Sequence, residues 1–279
     1  MIIAIANRKG GTGKTTSCVN LAAVWGRQGY RVLVIDLDTQ GHSALGLGRP
    51  YATPSSTQPT SKTLRSVHGF FQAKAELIDP QRRIAQQQAP QQLRDCIDTT
   101  PTQGVDLIAA DVHFDGRGLH YPVTCLRDAL QQEGLTQDYQ RIILDTPPTL
   151  DSLLMNAAAA AQGIVVPFVP HHLGKVGALQ LARLFYDIAS NYNDDLTLLG
   201  LLPVMLDQRL TLHRNTIDEL GAQFGQSKML RGIRNNIRLA EAFAVHQSVL
   251  DYAPRSSGAM DYTLLAAELD ALWGSGKDA

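Results

Sequence analysis

Cysteine is scarce: three residues, Cys18, Cys96 and Cys125, in a chain of 279. Their odd number excludes a closed disulfide framework, their spacing matches no metal pattern, and both suit a reducing compartment. Aromatic residues make up only 6% of the chain, and no apolar run is long enough to span a bilayer. The first residues lack the basic start and cleavage site of a secretion signal, so the expected location is cytoplasmic. Charge of one sign is not in excess either, with a net charge of −1 and a pI of about 6.7. No global field draws such a chain to nucleic acid or anionic lipid, so any binding of that kind needs a local patch.

What is present begins at once. The apolar run Met1 to Ala6 reads as a buried parallel strand, and Val19, Leu21, Ala22, Ala23 and Trp25 mark a helix. Between them lies Asn7-Arg8-Lys9-Gly10-Gly11-Thr12-Gly13-Lys14-Thr15-Thr16. A strand, a glycine-rich turn and a helix form a mononucleotide-binding unit. Glycines let backbone N–H groups converge on phosphate oxygens, and the helix start adds its positive dipole end. Gly10 to Thr16 would hold the nucleotide, Lys14 reaching the β- and γ-phosphates and the Thr15 hydroxyl sitting on Mg²⁺. The common pattern G-x-x-x-x-G-K-[ST] fails at Arg8, where glycine is wanted, and a second lysine, Lys9, precedes the glycine pair.

Two acidic strand ends follow. Arg31 to Asp36 reads as a strand running into Asp36-Leu37-Asp38-Thr39-Gln40-Gly41, with both acids on one face if the strand continues that far. Tyr139 to Leu144 reads as another strand, ending at Asp145-Thr146-Pro147-Pro148, where the acid would hold Mg²⁺ directly or through water.

The wording K-G-G-T-G-K-T-T resembles the deviant phosphate loop of the ParA/MinD ATPases, and the two acidic strand ends match that family's D-x-D-P-Q-G and D-x-P-P boxes, with Thr39 in place of the first proline. The resemblance implies that Lys9 reaches across a dimer interface to the partner's nucleotide. It implies that Asp38 positions or activates the attacking water, that Asp36 supports the Mg²⁺ shell, and that Asp207 borders the adenine base. The cofactors implied are ATP and Mg²⁺. The expected fold is α/β, a doubly wound, mostly parallel sheet flanked by helices, in one domain over 1–273 with a short tail at 274–279.

The remaining elements are read from pattern. Strands are expected over 105–110, 163–169 and 198–205, and helices over 121–133, 153–161 and 174–192. Asp151 reads equally as an N-cap or, by resemblance, as part of the dimer interface. The pair His171-His172 suits a structural or recognition role better than metal binding. Residues 50–62 read as a loop, 64–77 as a short helix, and 80–92 carry six glutamines. The resemblance is weakest over 50–100, and this stretch is expected to be a surface insertion.

From Arg209 to Arg238 six basic residues (Arg209, Arg214, Lys228, Arg231, Arg234, Arg238) face two acids, Asp218 and Glu219. Composition leaves open whether these make phosphate contacts or form a solvated helix face. The segment Arg234-Asn235-Asn236-Ile237-Arg238-Leu239-Ala240-Glu241-Ala242 resembles the ParA wording R-N-V-R-L-S-E-A, with Asn236 as added polar bulk. That resemblance makes Arg209 and Arg238 the residues that grip non-specific DNA, with Arg234 and Lys228 beside them. The implied activity is a weak, partner-stimulated ATP hydrolase. It would dimerise on ATP, bind non-specific DNA on the bacterial nucleoid, and position a plasmid, chromosome or protein organelle such as the carboxysome with a ParB-like partner. The alternative is a MinD-like regulator acting on a membrane or protein lattice without DNA. The short tail has one lysine and no apolar residue beyond Ala279, so stable membrane binding is not expected. An iron-protein relative would need cluster cysteines where Thr146 to Thr149 offers none.

Overall fold

Alternation along the strands places apolar residues on both faces of one sheet. In β1 (Ile2–Ile5), Ile3 and Ile5 join one apolar cluster while Ile2 and Ala4 join another. The same division holds in β2 (Val32–Asp36), where Val32 and Val34 face one cluster and Leu33 and Ile35 the other. A strand buried on both faces needs covering helices on both, which is the condition for a parallel α/β sheet. The computed structural model describes residues 1–49, 65–78, 92–114, 116, 119–171, 181 and 184–275.

The sheet also includes β3 (Ile97–Thr99), β4 (Val105–Ile108), β5 (Arg141–Asp145), β6 (Gly163–Phe168) and β7 (Thr197–Pro203). The spatial order is β3-β4-β2-β5-β1-β6-β7. Every pairing is parallel except β3 with β4. β1 therefore lies inside the sheet, between β5 and β6, and the turn after it opens where connections leave in both directions, the usual place for a ligand crevice.

The cluster containing Ile3 and Ile5 is filled by α1 (Lys14–Arg27) and α10 (Ser257–Ser275). Two cross-links between these helices are Ser17 Oγ with the Tyr262 hydroxyl at 3.3 Å and Trp25 Nε1 donating to Asp270 at 3.1 Å. The other cluster takes α3 (Val67–Ile78), α4 (Cys125–Gln132), α5 (Leu135–Asp138) and α6 (Ser152–Ala160). Asp151 caps α6, its Oδ1 accepting from the backbone N–H of Leu153 and Leu154.

Two expectations are corrected. Residues 67–78 and 93–99 are not a surface insertion. Val67, Phe70, Phe71, Leu93 and Cys96 are buried in the core, and Ile97–Thr99 supplies the antiparallel edge strand. β2 stops at Asp36, so Asp36 and Asp38 do not share a strand face; the chain turns there, with Gly41 N–H donating to Asp38 O at 2.8 Å. The stretch 50–62, residues 80–91 and the start of the expected helix over 174–192 lie outside the described residues; residues 184–192 are helical.

Candidate functional site

The turn from β1 into α1 is held by Asn7. Its Nδ2 donates to the Pro167 carbonyl at 2.6 Å and its Oδ1 accepts from Lys9 N–H at 3.0 Å, so one buried side chain ties the loop to the end of β6. Thr12 Oγ1 donates to the Lys9 carbonyl at 3.2 Å. Gly11 and Gly13 sit at φ +72° and +74°, a region that side chains with a Cβ enter only with strain. A Cβ at Gly10 or Gly11 would meet nothing within 4 Å, so the loop rims open space of the kind a phosphate chain needs.

Lys14 opens α1 and is only 7% exposed. Burial lowers its pKa, while the charges of Asp145 and then Asp38 pull it back up. Lys9 is exposed, with Nζ 3.3 Å from Nε2 of His171 on the loop after β6. Two lysines of one loop thus differ in setting: one inside the site, one on its surface. His172 lies outside the described residues.

Asp36 and Asp145 are register partners at the tips of β2 and β5, and both are fully buried. Asp36 accepts from Asp38 N–H at 3.1 Å and from Ser43 N–H at 3.0 Å. Asp145 Oδ2 accepts from Ser43 Oγ at 2.8 Å, whereas its buried Oδ1 has no hydrogen-bond partner. Burial and the neighbouring Asp145 charge push the Asp36 pKa well up. Burial also raises Asp145, against the pull of the Thr15 and Ser43 hydroxyls and of Lys14. Two buried acids side by side with an orphaned oxygen fit a divalent cation, which would relieve both the desolvation and the repulsion. Among the described residues no group of three or more His, Cys, Asp or Glu could hold a metal alone. That suits Mg²⁺, which takes one or two protein oxygens and completes its shell with phosphate and water. Thr15, Asp36 and Asp145 are the residues that would hold it.

Asp38 is half-buried just beyond, its Oδ1 accepting from Gln40 N–H at 3.0 Å. Two residues missed by sequence reasoning organise this turn. Ser43 touches both acids, and its position seven residues after Asp36 in a serine-ended turn was a readable signal. His68, from α3, has Nε2 3.2 Å from the Leu37 carbonyl, while its Nδ1 accepts from Asp111 N–H at 2.8 Å. Burial lowers the His68 pKa to about 4, so the ring is neutral and Nε2 carries the proton. No local pattern marks it, because both partners are distant in sequence.

The basic residues divide. Arg234 forms several hydrogen bonds with Asp261, itself 6% exposed, and Lys228 Nζ donates to the Leu198 carbonyl at 2.7 Å. Both are engaged in the fold. The Arg209 side chain is 90% exposed and pairs with Asp207, and that of Arg238 is 53% exposed and pairs with Glu241. The Arg209 pairing holds the Asp207 carboxyl down to about 2. The two arginines lie in segments stitched together by Leu206 N–H to Ile233 O and Asn235 N–H to Leu206 O. Arg238 is in the first turn of α8 (Ile237–Ala244), and Asn236 caps that helix by accepting from Arg238 N–H at 2.9 Å. A hollow of about 260 Å³ lined by Arg31, Thr102 and Asp106 lies at the opposite, N-terminal edge of the strands, away from all these groups.

A parallel sheet with a glycine-rich loop after an inner strand, a buried lysine opening the next helix and two acids on adjacent strand tips defines a P-loop nucleotide-binding protein. The family profile described as an AAA domain matches residues 1–198. The chromosome-partitioning ATPase Soj of Thermus thermophilus is 36% identical over 273 residues, covering 96% of this chain and 95% of Soj. The chromosome partitioning protein ParA of Caulobacter vibrioides is 31% identical over 273 residues, covering 96% and 93%. Among solved structures, cobyrinic acid a,c-diamide synthase of Mycobacterium smegmatis with a bound ATP analogue and magnesium superposes with a TM-score of 0.72 at 26% identity, covering 99% of this chain and 96% of that one. The chain belongs to the ParA/MinD family of P-loop ATPases.

Proposed function

We propose that this protein is a ParA-type positioning ATPase. It binds ATP and Mg²⁺, closes as a homodimer in that state, and then holds non-specific DNA. The contrast between buried Lys14 and exposed Lys9 within one loop carries the reading. Lys14 serves the phosphates of its own site, whereas the charge of Lys9 is turned outward, where a second phosphate-bearing surface can use it. Asp38, beside the buried acid pair and freer than either, orients the attacking water. Mg²⁺ at Thr15, Asp36 and Asp145 supplies neutralisation of the charge that develops on the phosphates.

Arg209 and Arg238 supply the DNA contacts. Their present partners, Asp207 and Glu241, are half-buried carboxylates on largely exposed guanidinium groups, which leaves the arginines open to competition by phosphate. One subunit offers a weak half-site. Closing two subunits joins two half-sites, so ATP raises DNA affinity without any new type of contact. A ParB-like partner then speeds hydrolysis and opens the dimer, in a cytoplasmic cycle on the nucleoid that moves a plasmid, chromosome or protein organelle.

One observation favours the MinD-like reading as a second choice. Leu210, Leu212 and Ile237 are 48%, 58% and 68% exposed beside these arginines, and a basic rim around apolar side chains also suits an anionic membrane. The deciding experiment measures binding to a non-specific DNA duplex with ATP, ADP or no nucleotide at two salt concentrations, with anionic vesicles in parallel. DNA binding seen only with ATP and lost at high salt is the expected result. Vesicle binding with no DNA binding would overturn it in favour of the membrane reading.

A further inference from the structure

The acid pair and Arg238 sit on different elements, and a five-residue helix, α2 (His42–Gly46), touches the acids and the helix that carries Arg238. At its start Ser43 donates from its backbone to Asp36 and from its hydroxyl to Asp145. On its other side it meets Phe243 of α8. The His42 and Phe243 rings are perpendicular with centroids 6.2 Å apart. Gly46 is wedged between α1 and α8: a Cβ there would lie 2.7 Å from Val19 Cγ2 and 3.0 Å from Phe243 Cε2. The helix is therefore packed so closely that it cannot shift without moving Phe243, and Phe243 lies on the short helix that carries Arg238.

Glycines flank α2 at both ends. Gly41 has φ +65° and Gly48 has φ +80°, left-handed conformations that glycine adopts without strain. Beyond it, α9 (Val249–Tyr252) is fixed to α1. Asn20 Oδ1 accepts from Val249 N–H at 2.8 Å while Asn20 Nδ2 holds the Thr16 carbonyl at 2.8 Å, at the start of the phosphate-loop helix. The link between α8 and α9 passes through His246, a non-glycine at φ +59°. One helix is thus anchored, its neighbour rests on an element flanked by left-handed glycines, and the turn joining them already holds an unusual conformation.

We infer that α2 is the element through which the phosphate and magnesium end of the sheet sets the position of Arg238, with Phe243 as the positioning residue. This rests on the reading of the chain as a DNA-binding ATPase, and it adds a route by which nucleotide state reaches the DNA surface within one subunit. A change at Asp36, Asp38 or Asp145 pulls on Ser43. The movement passes through His42 and Gly46 to Phe243 and swings α8 about the His246 turn. A ligand at one end shifts the other only through such an element with two arrangements.

The test uses full-length protein with ADP or a non-hydrolysable ATP analogue. Amide hydrogen exchange over 237–244 and over 36–46 is measured beside affinity for a DNA duplex. In the wild type, exchange in both segments is expected to differ between nucleotides. In Phe243→Ala the difference over 36–46 and the affinity for the analogue stay, the difference over 237–244 disappears, and the analogue's advantage over ADP in DNA binding falls about tenfold. Phe243→Tyr, which keeps the ring, restores both. Because Phe243 is only half-buried, truncation leaves the fold intact, and matching melting curves check this. An α8 that ignores nucleotide in the wild type, or a Phe243→Ala protein that still responds, overturns the inference. An α8 response that depends on Phe243, in a protein that binds no DNA in any state, would keep the inference and remove the DNA reading instead.

Discussion

Single atoms explain why the site waits for a ligand. Asp145 Oδ1 is buried without a partner, next to a second buried acid and a lysine stripped of most of its water. Groups held like this cost stability until something of the right charge arrives. Asp145→Asn removes the repulsion with Asp36, so the nucleotide-free variant should melt at a higher temperature than the wild type while losing Mg²⁺-dependent ATP hydrolysis. A lower melting temperature would contradict this account of the pair. Lys14→Ala should weaken ATP binding by about 2–5 kcal/mol, the usual result of truncating one side of a buried charged contact. Titration with a fluorescent ATP analogue reads this directly, and unchanged affinity would remove the phosphate-loop assignment.

At the scale of elements, α3 is fastened to the tip of β2 by one imidazole. His68 is neutral in the fold, with a pKa of about 4 against 6.5 when unfolded. A group whose folded pKa is depressed binds its proton first in the unfolded chain. Its contribution is complete above pH 6.5 and is lost as pH falls towards 4, amounting to about 3 kcal/mol. The stability gap between wild type and His68→Gln, read from denaturant midpoints, should shrink as pH falls from 7 to 4, because the raised pKa values of Asp36 and Asp145 act equally in both proteins. The same helix shows where sequence reading ran short. The strand, glycine turn and helix of the phosphate loop and the strand ending at Asp145 were legible because each is a local pattern complete within a few residues, and of the two readings of Asp151 the cap is the one seen at the start of α6. α3 was legible as a helix but not as part of the core, and β3 was missed, because glutamine-rich and proline-rich flanks gave the whole stretch the look of an insertion. The acids at 36 and 38 were found, but their geometry was not. β2 ends two residues earlier than a shared face requires, and Asp36 accepts from the loop's own N–H groups.

For the whole molecule, net charge gives no sign of the DNA surface proposed above, and the arrangement explains why. Arg209 and Arg238 each stand beside an acid, so the two arginines add no net charge to the surface, and on the proposed function phosphate would replace the carboxylates. Each arginine that meets a phosphate contributes about 0.9 to the slope of log affinity against log salt, and a dimer doubles that. Arg238→Ala should reduce the slope by roughly 1.8, sparing dimerisation on ATP. Fluorescence anisotropy across a salt series measures it, and a parallel line displaced downward would deny Arg238 a phosphate contact. The strand order has one more consequence, for the way the chain is made. β1 leaves the ribosome well before its neighbours in the sheet, which begin at Arg141 and Gly163. Everything up to Arg141 must be synthesised before this strand has a partner in the sheet. Contacts so distant in sequence make for slow folding, and a nascent chain stopped short of residue 140 carries the whole phosphate-loop sequence and no phosphate loop.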